Sequence, residues 1–198
     1  MVRRMKTYFF KVKLKYAKRV WREIEIPGGQ TLDDLHLTIQ RAFGFGADHL
    51  YSFFMSGKAW DNSDFEYYHP DSDVDPSDSV EEEKMFSSVD REIKQVLKER
   101  KDIDPQEADK LLLLFQRRRP KPKLPANKVR IESLNLHSKQ KFLYLFDYGD
   151  EWYFEVEFLK EGTEEEMFSP RIVDSRGKAP EQYPDNEGDL DDGEEEKS

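Results

Sequence analysis

The chain has 198 residues, 36% hydrophobic and 37% charged, with a formal net charge of −10. That length suits one domain with an insertion, and fourteen Phe, nine Tyr and three Trp supply large areas for its core. The lack of cysteine excludes disulfides, thiolate catalysis, iron–sulfur clusters and cysteine-based zinc sites, and it suits a reducing cytoplasm.

The first residues, Met1 to Lys6, are basic without an apolar stretch, so no signal peptide is expected there. From Thr7 the pattern alternates, with Tyr8, Phe10, Val12, Leu14 and Tyr16 on one face and Lys11, Lys13 and Lys15 on the other. A turn at Ala17-Lys18 leads to a second strand with Val20, Ile24 and Ile26 inward and Trp21, Glu23 and Glu25 outward. Arg22 interrupts the inward set, which places it near a sheet edge, and Lys13 and Lys15 are expected opposite Glu23 and Glu25. Pro27-Gly28-Gly29 ends the strand. Thr31 then reads as an N-cap with Asp34 in capping-box position, and Leu32, Leu35, His36, Ile39 and Phe43 follow at helical spacing. Gly44-Phe45-Gly46 closes the helix, and His49 to Met55 reads as a third strand. Hairpin, helix, strand is the opening of a β-grasp-like fold.

Residues 57–125 read as an insertion. Between Asp61 and Glu83 acids dominate, and Asp71 to Asp78 reads as loop around a short strand candidate at Phe65 to Tyr68. A helix is expected from Ser88 through Val89, Ile93, Val96 and Leu97, and another from the Asp104-Pro105 start through Phe115. Arg117 to Pro125 should be extended, since each proline biases its predecessor away from helix. A strand near Val129 to Leu134, a hairpin over 141–159 and a loop-rich stretch over 160–184 complete a single α+β domain of residues 1–184. The acidic tail, 185–198, reads as disordered.

The hairpin tip Phe146-Asp147-Tyr148-Gly149-Asp150-Glu151-Trp152 is the densest chemical feature. With Tyr148-Gly149 as loop centre, Asp147 opposes Asp150, and Leu143 and Leu145 share a core face with Trp152, Phe154, Val156 and Phe158. Opposed carboxylates destabilise a sheet, so the loop's own amides, a basic side chain or a bound cation must offset them. The bland solution is Asx-type capping with Gly149 at positive φ.

Leu35-His36, Phe43-Gly44-Phe45, His49-Leu50-Tyr51-Ser52-Phe53, Tyr144 through Trp152, Pro170 to Val173 and Gly177 to Glu181 together resemble the plasmid pRiA4b ORF-3-like proteins, sometimes labelled transposon "passenger" proteins. The resemblance implies an α+β fold and no established activity. It also shows Tyr51 and Tyr153 where members often carry histidine, which weakens a three-histidine metal site.

Three function classes follow. His36, His49, Asp147 and Asp150 offer the nitrogen and oxygen donors of a metal enzyme. No His-Glu-x-x-His, P-loop, Gly-x-Gly-x-x-Gly or Gly-x-Ser-x-Gly is present, so no catalytic residue, metal or cofactor is assigned. Residues 1–22 carry +9 and 185–198 carry −7, so Lys11, Lys13 and Lys15, with Arg117, Arg118 and Arg119, could track a nucleic-acid backbone despite the global acidity. The third class is the broadest and is preferred: a non-catalytic protein-interaction module, with His36, His49, Asp147, Asp150 and Trp152 as candidate ligand or partner contacts.

Overall fold

The computed structural model describes residues 4–183 apart from 18, 62, 75, 101–102, 118–120, 122 and 166, so the expected acidic tail lies outside the described residues. Its eight strands form one mixed sheet, and the fold is α+β. In chain order the elements are β1 (Arg4–Leu14), β2 (Trp21–Pro27), α1 (Leu32–Phe43), β3 (Tyr51–Phe54), β4 (Glu66–Tyr68), α2 (Pro76–Glu99), α3 (Pro105–Arg117), β5 (Lys123–Pro125), β6 (Lys141–Phe146), β7 (Trp152–Glu165) and β8 (Arg171–Arg176). The sheet order is β5-β4-β3-β6-β7-β1-β2-β8, and all neighbours are antiparallel except β4 and β5. The hairpin, helix and third strand occur in the expected order, with β6 and β7 lying between β3 and the hairpin.

The main core lies between the sheet and α1. Tyr8, Phe10, Val12 and Leu14 face it from β1, Ile24 and Ile26 from β2, and Leu32, Leu35, Ile39 and Phe43 from the helix. The capping box forms as expected: Thr31 Oγ1 accepts from the Asp34 amide, and the Asp34 carboxylate accepts from the Thr31 amide at 2.8 Å. Gly44 ends the helix at φ 75°, a left-handed conformation that glycine adopts without a Cβ penalty. Tyr16 departs from the expected inward face. The strand stops at Leu14, and the ring is 68% exposed in the turn.

Pairing refines several expectations. β2 lies one strand in from the sheet margin, flanked by β8, and Arg22 is buried there. Lys11, not Lys13, opposes Glu23, and Phe9 opposes Glu25. Residues 129–134 are not a strand. Ala126–Lys128 and Ile131–Leu134 form two 3-10 turns, tethered by Leu32 N donating to Val129 O and Ile131 N to Gln30 O. α2 begins at Pro76, inside the stretch expected to be loop. Arg117 ends α3 and is not extended, whereas Lys123–Pro125 is a sheet strand. The stretch after 160 is largely strand, since β7 runs to Glu165 and β8 follows.

The β6–β7 register is one residue away from expectation. Phe146 pairs with Trp152, and Tyr144 with Phe154. The loop is therefore five residues, 147–151, with positive φ at Asp147 and Glu151 rather than at Gly149. Phe142, Tyr144 and Phe146 consequently face the main core with Phe154, Val156 and Phe158. Leu143 and Leu145 turn to the opposite side, where Phe54, Ala59, Tyr148 and Tyr153 cover them.

Candidate functional site

His36 sits on the buried stripe of α1, 2% exposed, at the centre of a polar-aromatic network. Its ring stacks on Tyr51 with centroids 3.9 Å apart, and its Nδ1 lies 2.6 Å from the Tyr144 hydroxyl. That hydroxyl also accepts from Gln40 Nε2 at 2.6 Å. With the oxygen occupied by the amide donor, its own proton goes to Nδ1, so the imidazole is neutral with its hydrogen on Nε2. Burial, reinforced by the nearby His69 ring, pushes the His36 pKa down to about 3. Tyr51 donates to Asp33 Oδ1, and burial pushes its phenol up from the ordinary range, as it does for Tyr144. Every phenol here stays protonated, and the network suits a rigid packing role.

His49 belongs to a second, exposed cluster. Its Nδ1 lies 3.1 Å from Asp48 Oδ1 and 3.0 Å from the Tyr183 hydroxyl, and its Nε2 lies 3.7 Å from Asp147 Oδ2. The bond to Asp48 raises the His49 pKa, and the same bond holds the Asp48 carboxyl low. Gln182 ties this cluster together, accepting from the Gly46 amide and donating to Asp48 and to Tyr183. The C-terminal segment is thus strapped across the start of β3.

Asp147 and Asp150 do not face each other as a ladder pair. Asp147 Oδ1 accepts from the amides of Gly149 at 2.9 Å and Asp150 at 3.3 Å, so the hairpin tip satisfies its own carboxylate. Asp150 is exposed at the tip. Trp152 is half-buried on the core side, edge-on to Phe45 at 4.8 Å, and with Ala17 and Pro180 it borders two shallow cavities of about 480 and 380 Å³. The structure therefore gathers His49 with Asp147 but leaves His36 in the separate inner network, with the Phe146 ring between the two imidazoles at centroid separations of 6.0 and 6.2 Å. Among the described residues no group of three or more His, Asp or Glu side chains is arranged to hold a metal ion.

The lysine row of β1 and the turn after it is laced with partners. Lys11 lies over the Trp21 ring at 3.8 Å, Lys13 is 3.5 Å from Glu155, and Lys15 lies over Tyr153 at 4.9 Å. Arg118, Arg119 and the side chain of Arg117 lie outside the described residues.

One surface was not singled out by residue type in advance. Along α2 and α3 no described side chain is buried, although the helices carry Met85, Val89, Val96, Leu113, Leu114 and Phe115, each 39–58% exposed. Between the helices lies a groove of about 540 Å³, with Leu97, Ile103, Ala108 and Leu112 among its lining. The signal for it was the run Leu111 to Phe115, five apolar residues in succession, which wraps past the stripe that one packed face can bury. No helix among the described residues is long and apolar enough to cross a membrane.

Fold and site together define an α+β sheet protein with a locked aromatic–histidine interior and an outstanding helical pair at one end of the sheet. Residues 6–188 match the family described as plasmid pRiA4b ORF-3-like protein, and the chain belongs to that family. No curated protein matches it. Among solved structures it is similar to the crystal structure of a protein of unknown function from Methanosarcina mazei Go1, with a TM-score of 0.55 at 18% identity over 89% of this chain and 72% of that one. This likeness supports the fold alone.

Proposed function

We propose that the chain is a non-catalytic protein-interaction module whose recognition surface is the α2–α3 pair, and that the partner is a protein segment with one apolar and one acidic face. The supporting observation is the apolar surface left uncovered on both helices. Monomeric proteins keep exposed apolar patches small, and large ones mark interaction sites. The groove supplies the charge preference: among its described lining residues Lys94, Lys98 and Arg100 are basic and Asp109 is acidic. A helix-in-groove mode, with apolar anchors at helical spacing, fits this shape. In this reading residues 1–184 are one domain, the excursion within 57–125 carries recognition, and a cysteine-free chain works in the cytoplasm.

The test is fluorescence anisotropy with a labelled helical peptide carrying leucine at i, i+3, i+4 and i+7 and glutamate elsewhere. Binding should weaken with salt and with Leu97→Asp, and Lys94→Glu/Lys98→Glu should shift preference to a lysine-substituted peptide. Affinities indifferent to the charge reversal, or no binding of either peptide, would count against the proposal.

A further inference from the structure

The two margins of the sheet are treated differently. β5 is three residues long, ends in Pro125 and has α2 packed beside it. Those are the usual means of blunting an edge strand. β8 has six residues, no proline within it, and every residue exposed, and among the described residues its one strand neighbour is β2. Its length is delimited, with Pro170 before it and Gly177 after it at φ 77°, where an added Cβ would meet Arg19 O at 2.8 Å.

Charges along β8 are mismatched within the chain. Asp174 lies directly opposite Glu23, so two carboxylates face each other across the β2–β8 ladder. Such a pairing is unfavourable unless a cation intervenes. The hydrogen bond described for the Asp174 carboxylate comes from the neighbouring Ser175 amide, and the Arg176 guanidinium has no ion pair among the described residues. By contrast Arg171, at the other end of the strand, is held by Glu25 at 2.6 Å and Glu164 at 2.9 Å. Asp174 and Arg176 share the sheet face of Glu23 and Trp21, so they point the same way.

We propose that the end of β8 is the seam of a homodimer, in which two copies pair Asp174 to Arg176 antiparallel against the same residues about a two-fold axis through Ser175. In that register Asp174 faces the partner's Arg176, and the symmetry makes the pair twice, as an isologous contact requires. Glu23 has Lys11 across from it on β1, and the cation that Asp174 lacks among the described residues is delivered by the second copy. The seam uses the open margin of both sheets and leaves each blunted β5 margin outermost, so assembly closes at two chains. This surface is separate from the α2–α3 pair, and either proposal stands without the other.

Sedimentation equilibrium of the full chain over a concentration series at low salt tests it. The wild type should show twice the chain mass. Asp174→Arg and Arg176→Asp should each raise the dimer dissociation constant at least about tenfold, because each turns both cross-axis pairs repulsive. The double variant should restore the dimer. Asp174→Arg places a cation opposite Glu23, so its fold is retained, which circular dichroism verifies. A wild type that stays monomeric, a dimer that survives both single reversals, or one that fails to return in the double variant overturns the proposal.

Discussion

Acidification is expected to loosen the fold through His36. The imidazole is 2% exposed, stacked on Tyr51, and committed as acceptor to the Tyr144 hydroxyl. Burial, with His69 second, takes its pKa from 6.5 to about 3. The sign is set by the unfolded chain, which takes up a proton as pH falls through 6.5 while the folded ring remains neutral until pH reaches about 3. Stability from the neutral ring is therefore complete above pH 6.5 and declines below it. The limiting slope is about 1.4 kcal/mol per pH unit, so roughly 2 kcal/mol is lost between about pH 7 and about pH 5, tending to about 5 kcal/mol near pH 3. Urea unfolding across this range, in wild type and in His36→Gln, measures it. Glutamine keeps an acceptor for Tyr144 but does not titrate. The wild-type slope should be largely missing in the variant. Equal pH dependence in both proteins, or an NMR titration of His36 centred near the ordinary histidine value, would refute the reasoning.

Arg22 donates to the carbonyls of Ala42, Trp21, Arg176 and Gly177 at 2.8–3.2 Å and lies over Phe43. Arg22→Met should cost about 3 kcal/mol in urea unfolding, since buried carbonyls lose a charged donor, and hydrogen-exchange protection in β2 opposite β8 should fall. Arg22→Lys, which keeps the charge but loses the fork, should cost about 1–2 kcal/mol. At the hairpin tip, Asp147→Ala removes two carboxylate bonds and keeps the strain of φ 56°, an expected loss of about 1–2 kcal/mol in thermal unfolding. Asp147→Gly relieves that φ and should lose less than half as much.

Period and capping chemistry located α1 and most strands, because Thr31, Asp34 and Gly44 announce the helix ends and Tyr8 to Leu14 alternate with lysines. Period failed where both alternate sets are apolar. In β6, Phe142, Tyr144 and Phe146 on one face are matched by Leu143 and Leu145 on the other, and both faces are covered. Nothing in such a strand says which set is inward, so the register rested on the turn, and two positive-φ residues that are not glycine hid its length. Arg22 was legible only in part for a related reason. A basic residue in an inward row reads as lying near an edge, and here carbonyls from α1 and β8 converge on it from segments 20 and about 154 residues away. The candidate-site residues fared likewise. His36 and His49 were visible as types, but their separation by Phe146 is a property of packing.

The helical pair leaves the sheet after β4 and comes back as β5, the very next strand, lying parallel to it. Departure and return thus share one border, about one strand spacing apart. Its length and composition can drift between relatives without a single residue of the α1-covered interior having to answer for the change. Evolution, or an engineer, could exchange that appendage and retarget the molecule while inheriting its chassis intact.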